Sequence, residues 1–185
     1  MEMREEVIIA GFGGQGILFA GKLLTWAGLK EGKEVTCISS YGAEMRGGTA
    51  NTHIIISSRE ISSPVVENPT LLIVLNEPSL EKFSPRVRKG GIVVFNSSLI
   101  DNPLSLPGLT YYSIPASEMA EKLGNSLLTN MVILGATVGY HPLVSMENLE
   151  NSLPHLLREG KEKFLEPNRR ALREGYEFAR KNRKT

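Results

Sequence analysis

A single cysteine among 185 residues removes two classes of structure at once. One thiol, Cys37, can build neither an intramolecular disulfide framework nor an iron–sulfur cluster, which generally needs four cysteinyl ligands. The three histidines, His53, His141 and His155, fall at no paired ligand spacing, so no zinc pattern stands out. No apolar run approaches the roughly 20 residues that span a bilayer. The opening Met1-Glu2-Met3-Arg4-Glu5-Glu6 is acidic where a secretory signal is basic and then apolar. A cytoplasmic protein without a membrane partner is expected. Charge of one sign is also lacking: 21 Lys and Arg against 20 Asp and Glu leave a net charge of +1, and no global field draws the chain to nucleic acid. The basic residues Arg169, Arg170, Arg173, Arg180 and Lys181 are interleaved with Glu166, Glu174 and Glu177, the pattern of a solvated helix face.

What the chain does have is a glycine-rich turn after a short apolar run, Val7-Ile8-Ile9-Ala10-Gly11-Phe12-Gly13-Gly14-Gln15-Gly16. Gly11, Gly13 and Gly16 fit G-x-G-x-x-G, where the first glycine permits the tight turn, the second lets backbone approach an anion, and the third permits close helix–strand packing. A positive φ at Gly13 is compatible with that role. The helix that follows points free N–H groups at the loop. A dinucleotide would further require an acidic residue about 20 positions on, at the tip of the second strand. That strand, Val35-Thr36-Cys37-Ile38, runs into Ser39-Ser40-Tyr41 without one, which disfavours NAD. Gly16 to Gly21-Lys22 also spells G-x-x-x-x-G-K, but Leu23 stands where a magnesium-binding hydroxyl is needed, and the match reads as chance.

Hydrophobic residues at 41% and charged residues at 22% suit one domain over residues 1–185 with a substantial core. The runs Leu71-Leu72-Ile73-Val74-Leu75 and Ile92-Val93-Val94-Phe95 are continuous rather than alternating, as in strands covered on both faces, and Thr110 to Ser113 repeats the theme. Helices are predicted over Gln15 to Glu31, stopped by Gly32, and over part of Ser79 to Lys89, Pro115 to Leu123 and Asn130 to Tyr140. Gly135, Ala136 and Gly139 allow another backbone to approach the last of these. A charged amphipathic helix follows over Glu159 to Arg183, with Phe164, Leu172 and Tyr176 on a shared face. The run Asn51 to Ser57 follows the second strand too closely for a crossover helix, so an antiparallel neighbour or a sheet-edge excursion is expected. The fold class is therefore α/β, a Rossmann-like, doubly wound, mainly parallel sheet with helices on both faces and an antiparallel excursion.

A second unusual segment is Tyr41-Gly42-Ala43-Glu44-Met45-Arg46-Gly47-Gly48-Thr49-Ala50-Asn51. Ligand crevices of open parallel sheets lie outside the carboxyl ends of the strands, so this loop is expected to face the first glycine loop. Arg46 offers a planar fork to a phosphate or carboxylate, and Gly47 and Gly48 expose amides to the same anion. Tyr41 supplies an aromatic wall, and Glu44 can orient Arg46. Cys37, inside a strand, is expected to be a buried and inert packing residue. His53 is expected to be a strand residue with an ordinary hydrogen bond.

Taken together, Ile9 to Gly16, Tyr41 to Ala50 and Asn130-Met131-Val132-Ile133-Leu134-Gly135-Ala136 resemble the gamma subunit of 2-oxoacid:ferredoxin oxidoreductases over nearly the whole chain. The resemblance implies a complex that oxidatively decarboxylates a 2-oxoacid to acyl-CoA and passes electrons to ferredoxin, or runs the reverse. It implies partners: alpha and beta chains, which bind thiamine diphosphate, and a ferredoxin-like delta chain, with homodimer contacts left open. Thiamine diphosphate, magnesium and 4Fe-4S clusters then belong to those partners, and coenzyme A is the candidate ligand of this chain. The chain has no Gly-Asp-Gly with the following Asn-rich segment of thiamine enzymes, so it is expected to be inactive alone. The candidate ligand set is Gly11, Gly13, Gly14, Gly16, Tyr41, Arg46, Gly47, Gly48 and Thr49. The competing readings are an autonomous nucleotide-dependent oxidoreductase and a plain binding module for coenzyme A or a nucleotide.

Overall fold

Apolar runs with no polar alternation need cover on both sides, and a computed structural model supplies it; the model describes residues 3–40, 49–101, 103, 105–157 and 160–183. Six strands form one sheet: β1 (Arg4–Phe12), β2 (Glu34–Ser40), β3 (Thr49–Ser57), β4 (Leu71–Val74), β5 (Ile92–Asn96) and β6 (Thr110–Ile114), in the order β2-β3-β1-β4-β5-β6. β1, β4, β5 and β6 are parallel neighbours, whereas β3 is antiparallel to both β1 and β2. The α/β class and the antiparallel departure are as expected. The departure, however, lies inside the sheet, with β3 wedged between β1 and β2. Because it reverses direction twice, β2 runs the same way as β1.

One face of the sheet carries most of the mass. Val7, Ile9, Ile54, Ile56, Leu71, Ile73 and Val94 pack there with α1 (Ile17–Lys30), α3 (Ala116–Lys122), α4 (Thr129–Tyr140), α5 (Met146–Leu156) and α6 (Leu165–Asn182). The other face, with Ile8, Ala10, Ile55, Leu72, Val74 and Phe95, is covered by α2 (Glu77–Phe83), which brings Leu80 and Phe83, and by Val66 and Ile100 from connecting segments.

Local chemistry sets the helix ends. Gly32 has φ of 69°, its N–H donates to the Leu29 carbonyl, and the Lys33 N–H reaches the Gly28 carbonyl, the paired bonds of a glycine-terminated helix. Asn76 caps α2 by accepting the Ser79 N–H at 2.9 Å, and Ser145 caps α5 by accepting that of Asn148 at 3.1 Å. The sequence reading held no helix at α5. It docks on α1 through Glu31, which accepts from the Ser145 N–H at 2.6 Å and from Asn148 Nδ2 at 3.3 Å. Trp26 stacks on His155 across the same contact, with ring centroids 5.1 Å apart.

All twelve residues of α4 are buried. It therefore needs a close cover, which α6 provides through Ala171, Leu172, Gly175 and Ala179. A methyl group on Gly135 would land on the Leu172 carbonyl, and one on Gly175 on the Val132 carbonyl. The buried seam of α6 is thus made of small residues. Phe164 precedes α6 in a short 3-10 turn and is 37% exposed, so it lies off the apolar face expected of it, whereas half-buried Tyr176 packs against the core that holds Leu172. Gly175→Ala should lower stability by about 1–3 kcal/mol through overpacking, beyond the roughly 1 kcal/mol helix-propensity gain. At this length that corresponds to a fall of roughly 2–4 °C in Tm per kcal/mol. A thermal melt with an unchanged or higher midpoint would overturn the close crossing.

At the amino end of the sheet, Glu5 receives His141 Nε2 at 3.0 Å and Thr70 Oγ1 at 2.5 Å. Burial pushes the Glu5 carboxyl up, but hydrogen bonds from His141 and Thr70 and the charges of His141 and Arg88 outweigh it, and its pKa lies below the ordinary 4.5. A depressed folded pKa contributes stability that is present above 4.5 and is lost as pH falls through the folded value. Glu5→Gln should therefore flatten the acid limb of stability. Urea midpoints between neutral pH and pH about 3 that fall equally in both proteins would refute this.

Candidate functional site

The carboxyl edge of the sheet gathers the turn after β1 and the start of the segment after β2. β1 ends at Phe12, whose N–H donates to Gln15 Oε1 at 2.6 Å, while the Gln15 N–H returns to the Phe12 carbonyl at 3.2 Å. The Gln15 side chain therefore folds back into its own turn. Among the described residues, no acceptor meets the amides of Gly13, Gly14 or Gly16, which makes them candidate donors to an anion.

The glycines divide the work differently from the motif reading. Gly14 (φ 94°) and Gly16 (φ 71°) hold the left-handed conformations, and Gly13 is not among the positive-φ residues. Close packing falls on Gly11, in β1, where a Cβ would lie 2.5 Å from Gln15 Oε1 and 2.8 Å from Ile17 Cδ1. The positive φ of Gly14, third residue of the Phe12–Gln15 turn, lets the Gln15 amide reach back to Phe12, and that of Gly16 then bends the chain into α1. Gly14 has open space beside its Cβ position, so an anion can approach there.

Gly16 opens α1 with no side-chain cap. Its carbonyl accepts the Ala20 N–H at 3.0 Å and Asn130 Nδ2 at 3.0 Å, which ties the turn to the first residues of α4. A Cβ on Gly16 would strike that Nδ2. Asn130 is 5% exposed, and its Oδ1 has no hydrogen-bond partner. Asn130 and Gln15 were not singled out as site residues from sequence, although Asn130 lay in a motif that carried the resemblance. Beside them, a cavity of about 480 Å³ opens between the turn and the facing ends of α4, α5 and α6. Another amide, Asn96 at the end of β5, accepts the Ala116, Ser117 and Ser98 N–H groups and donates to Ser117 Oγ, so it is fully occupied in joining β5 to α3.

Of the predicted set, Gly11, Gly13, Gly14 and Gly16 come together at the turn. Tyr41, Arg46, Gly47 and Gly48 lie outside the described residues, as does Glu44. Their segment leaves from Ser40 and returns at Thr49. Ser40 pairs with Asn51 and Thr49 with Phe12, so both ends of the segment are fixed at the glycine-turn edge of the sheet. Cys37 is exposed, contrary to expectation, because β2 is the outer strand; its Sγ lies 3.4 Å from Thr52 Oγ1. His53 sits edge-on to Phe83, and burial and the Arg86 charge hold its pKa below the usual value against a hydrogen bond to Val66. No helix among the described residues is long and apolar enough to cross a membrane.

A parallel-stranded core with a glycine turn and a helix start at its carboxyl edge defines a Rossmann-like α/β chain. Within that class it belongs to the pyruvate ferredoxin/flavodoxin oxidoreductase family, whose model matches residues 6–178. The chain is 37% identical over 179 residues to ketoisovalerate oxidoreductase subunit VorA from Methanothermobacter thermautotrophicus, covering 95% of this chain but only 36% of VorA. It is 33% identical over 183 residues to 2-oxoglutarate synthase subunit KorC from Methanocaldococcus jannaschii, covering 97% of this chain and 96% of KorC. Among solved structures, the gamma subunit of a keto/oxoacid ferredoxin oxidoreductase from Geobacter sulfurreducens superposes with a TM-score of 0.81 at 28% identity, over 95% of this chain and 98% of that one.

Two glycine substitutions separate the roles within the turn. Gly16→Ala combines a disfavoured φ with a clash against the Asn130 amide and should cost about 2–3 kcal/mol, whereas Gly14→Ala meets only the φ penalty, about 1 kcal/mol. Equal losses in chemical denaturation would remove the Asn130 brace from the account.

Proposed function

We propose that the chain is the gamma subunit of a cytoplasmic 2-oxoacid:ferredoxin oxidoreductase, in which a 2-oxoacid is oxidatively decarboxylated to acyl-CoA with electrons passed to ferredoxin, or the reverse. The observation that carries this reading is the alignment with KorC along nearly the full length of both chains. A chain with one cysteine brings too few thiolates for an iron–sulfur cluster, so the clusters fall to a ferredoxin-like delta chain, and thiamine diphosphate with magnesium to the alpha and beta chains. Residues 1–185 act as one domain with a positioning role.

Coenzyme A is the ligand this chain is suited to hold. The free amides of the glycine turn, with open space at Gly14, suit a diphosphate, and the helix dipole of α1 adds to the attraction. Arg46, with the amides of Gly47 and Gly48 and the neighbouring Tyr41 and Thr49, supplies a second set of contacts from the segment anchored at the same edge. When bound, coenzyme A supplies the thiol that takes the acyl group. This chain orients it and excludes water, and the redox chemistry belongs to the cofactors of the partner chains.

Affinity purification from the native source should recover thiamine-binding and ferredoxin-like chains with this one, and the assembly should reduce a viologen dye only with a 2-oxoacid and coenzyme A both present. Turnover by the isolated recombinant chain, or its recovery without any such partner, would sink the proposal. In the assembly, Arg46→Ala should raise KM for coenzyme A about tenfold through loss of one charge-assisted contact. An unchanged KM would remove Arg46 from the site.

A further inference from the structure

We propose that β2, the outer strand, pairs antiparallel with β2 of a second copy of this chain about a two-fold axis at Cys37, so that two sheets join into one. β2 (Glu34–Ser40) ends the sheet, and its strand neighbour is β3. Alternate residues of such an edge point their N–H and C=O groups away from the sheet. Among the described residues, no backbone hydrogen bond links β2 to anything but β3. A row of unpaired amides and carbonyls has one close complement, another extended strand.

Exposed edges are ordinarily blunted by proline, lysine, a bulge or short length. The opposite edge shows two of these, because β6 has five residues and runs into Pro115. β2 shows none. Its seven residues, Glu34-Val35-Thr36-Cys37-Ile38-Ser39-Ser40, keep an unbroken register with β3 and carry one charge, at the first position. Apolar surface lies on both sides of this edge. Ile38, 45% exposed, is on one face of the strand. On the other face α1 rests on Val35 at Gly28, and the neighbouring Leu29 is 48% exposed.

The charge pattern selects the occupant. A strongly acidic or basic partner strand would meet almost nothing to pair with, because Glu34 is the single charged residue of β2. A second copy fits the strand along its whole length. With Cys37 as the midpoint, antiparallel pairing sets Glu34 opposite Ser40 of the second copy, Val35 opposite Ser39, Thr36 opposite Ile38 and Cys37 opposite Cys37. No like charges meet, and each Ile38 faces a Thr36 methyl group. The contact is isologous, so it closes at two copies and leaves only the blunted β6 edges bare. The pairing stands independently of the function proposed above.

Sedimentation of the full chain over about 1–100 µM should show monomer and dimer in exchange. Ser40 is exposed and lies opposite Glu34 of the second copy, so it reports the register. Ser40→Glu sets like charges face to face at two symmetric positions and should raise the dimer Kd about three- to tenfold. Ser40→Lys should lower it by a similar factor, and both effects should shrink in about 0.5 M salt. Thermal melts of both variants, taken dilute enough to hold monomer, should match the parent. A short bis-maleimide, which adds one thiol at each end, should link the chain's single cysteine to that of the second copy. Cys37→Ser should abolish the link and keep the sedimenting dimer.

A chain that stays monomeric at about 100 µM, a dimer whose Kd ignores both Ser40 substitutions, or a Cys37 thiol left unlinked in the dimer would each overturn the proposal. So would a link from Cys37 to a different polypeptide in the assembled complex, which would give the edge to a partner chain. Each of these results leaves the oxidoreductase reading standing.

Discussion

α4 has no side to give to water, and much of the molecule follows from that. With all twelve residues buried, the helix must be enclosed by the sheet beneath it and by α6 above it. Enclosure at backbone distance is possible only where glycines face carbonyls, as Gly135 faces Leu172 and Gly175 faces Val132. The same rigidity holds the start of α4 in place, so that Asn130 can reach the carbonyl of Gly16 across the domain. The glycine turn is thus braced from within by Gln15 and from outside by the most buried helix of the protein.

The second constraint is directional. Inserting β3 antiparallel between β1 and β2 leaves β2 pointing the same way as β1, so the segments after both strands emerge at one edge. That edge is where an open parallel sheet presents helix starts and unpaired amides. A chain in which β2 paired directly with β1 would also bring the two together, but β3 returns the segment after β2 to the turn itself, since Thr49 pairs with Phe12. The proposed coenzyme A site uses this edge, where the turn and both ends of the returning segment meet.

Much of the architecture could be read from pattern alone, for reasons visible in particular residues. Leu71 to Val74 is buried throughout, as its unbroken apolar run implies, and Gly32 ends α1 as its position suggests. The failures are all nonlocal. Strand propensity does not reveal that β2 lies outermost, and that position leaves Cys37 exposed rather than buried. α5 buries only Leu149, Ser152 and Leu153, too sparse a stripe to stand out, although Ser145 signals its start. The glycine spacing located the turn, but Gly14 and Gly16 rather than Gly13 take the positive φ. Asn130 bonds a residue 114 positions away, which no local pattern encodes.

The register of β1 has a consequence for the order in which a ribosome delivers the chain. Both neighbours of this central strand come later, β3 from residue 49 and β4 from residue 71. The lid over α4 arrives last, with α6 at residues 165–182. Both pairing partners of this central strand are therefore made before the chain is half synthesised, whereas the helix that seals α4 comes only with the last residues.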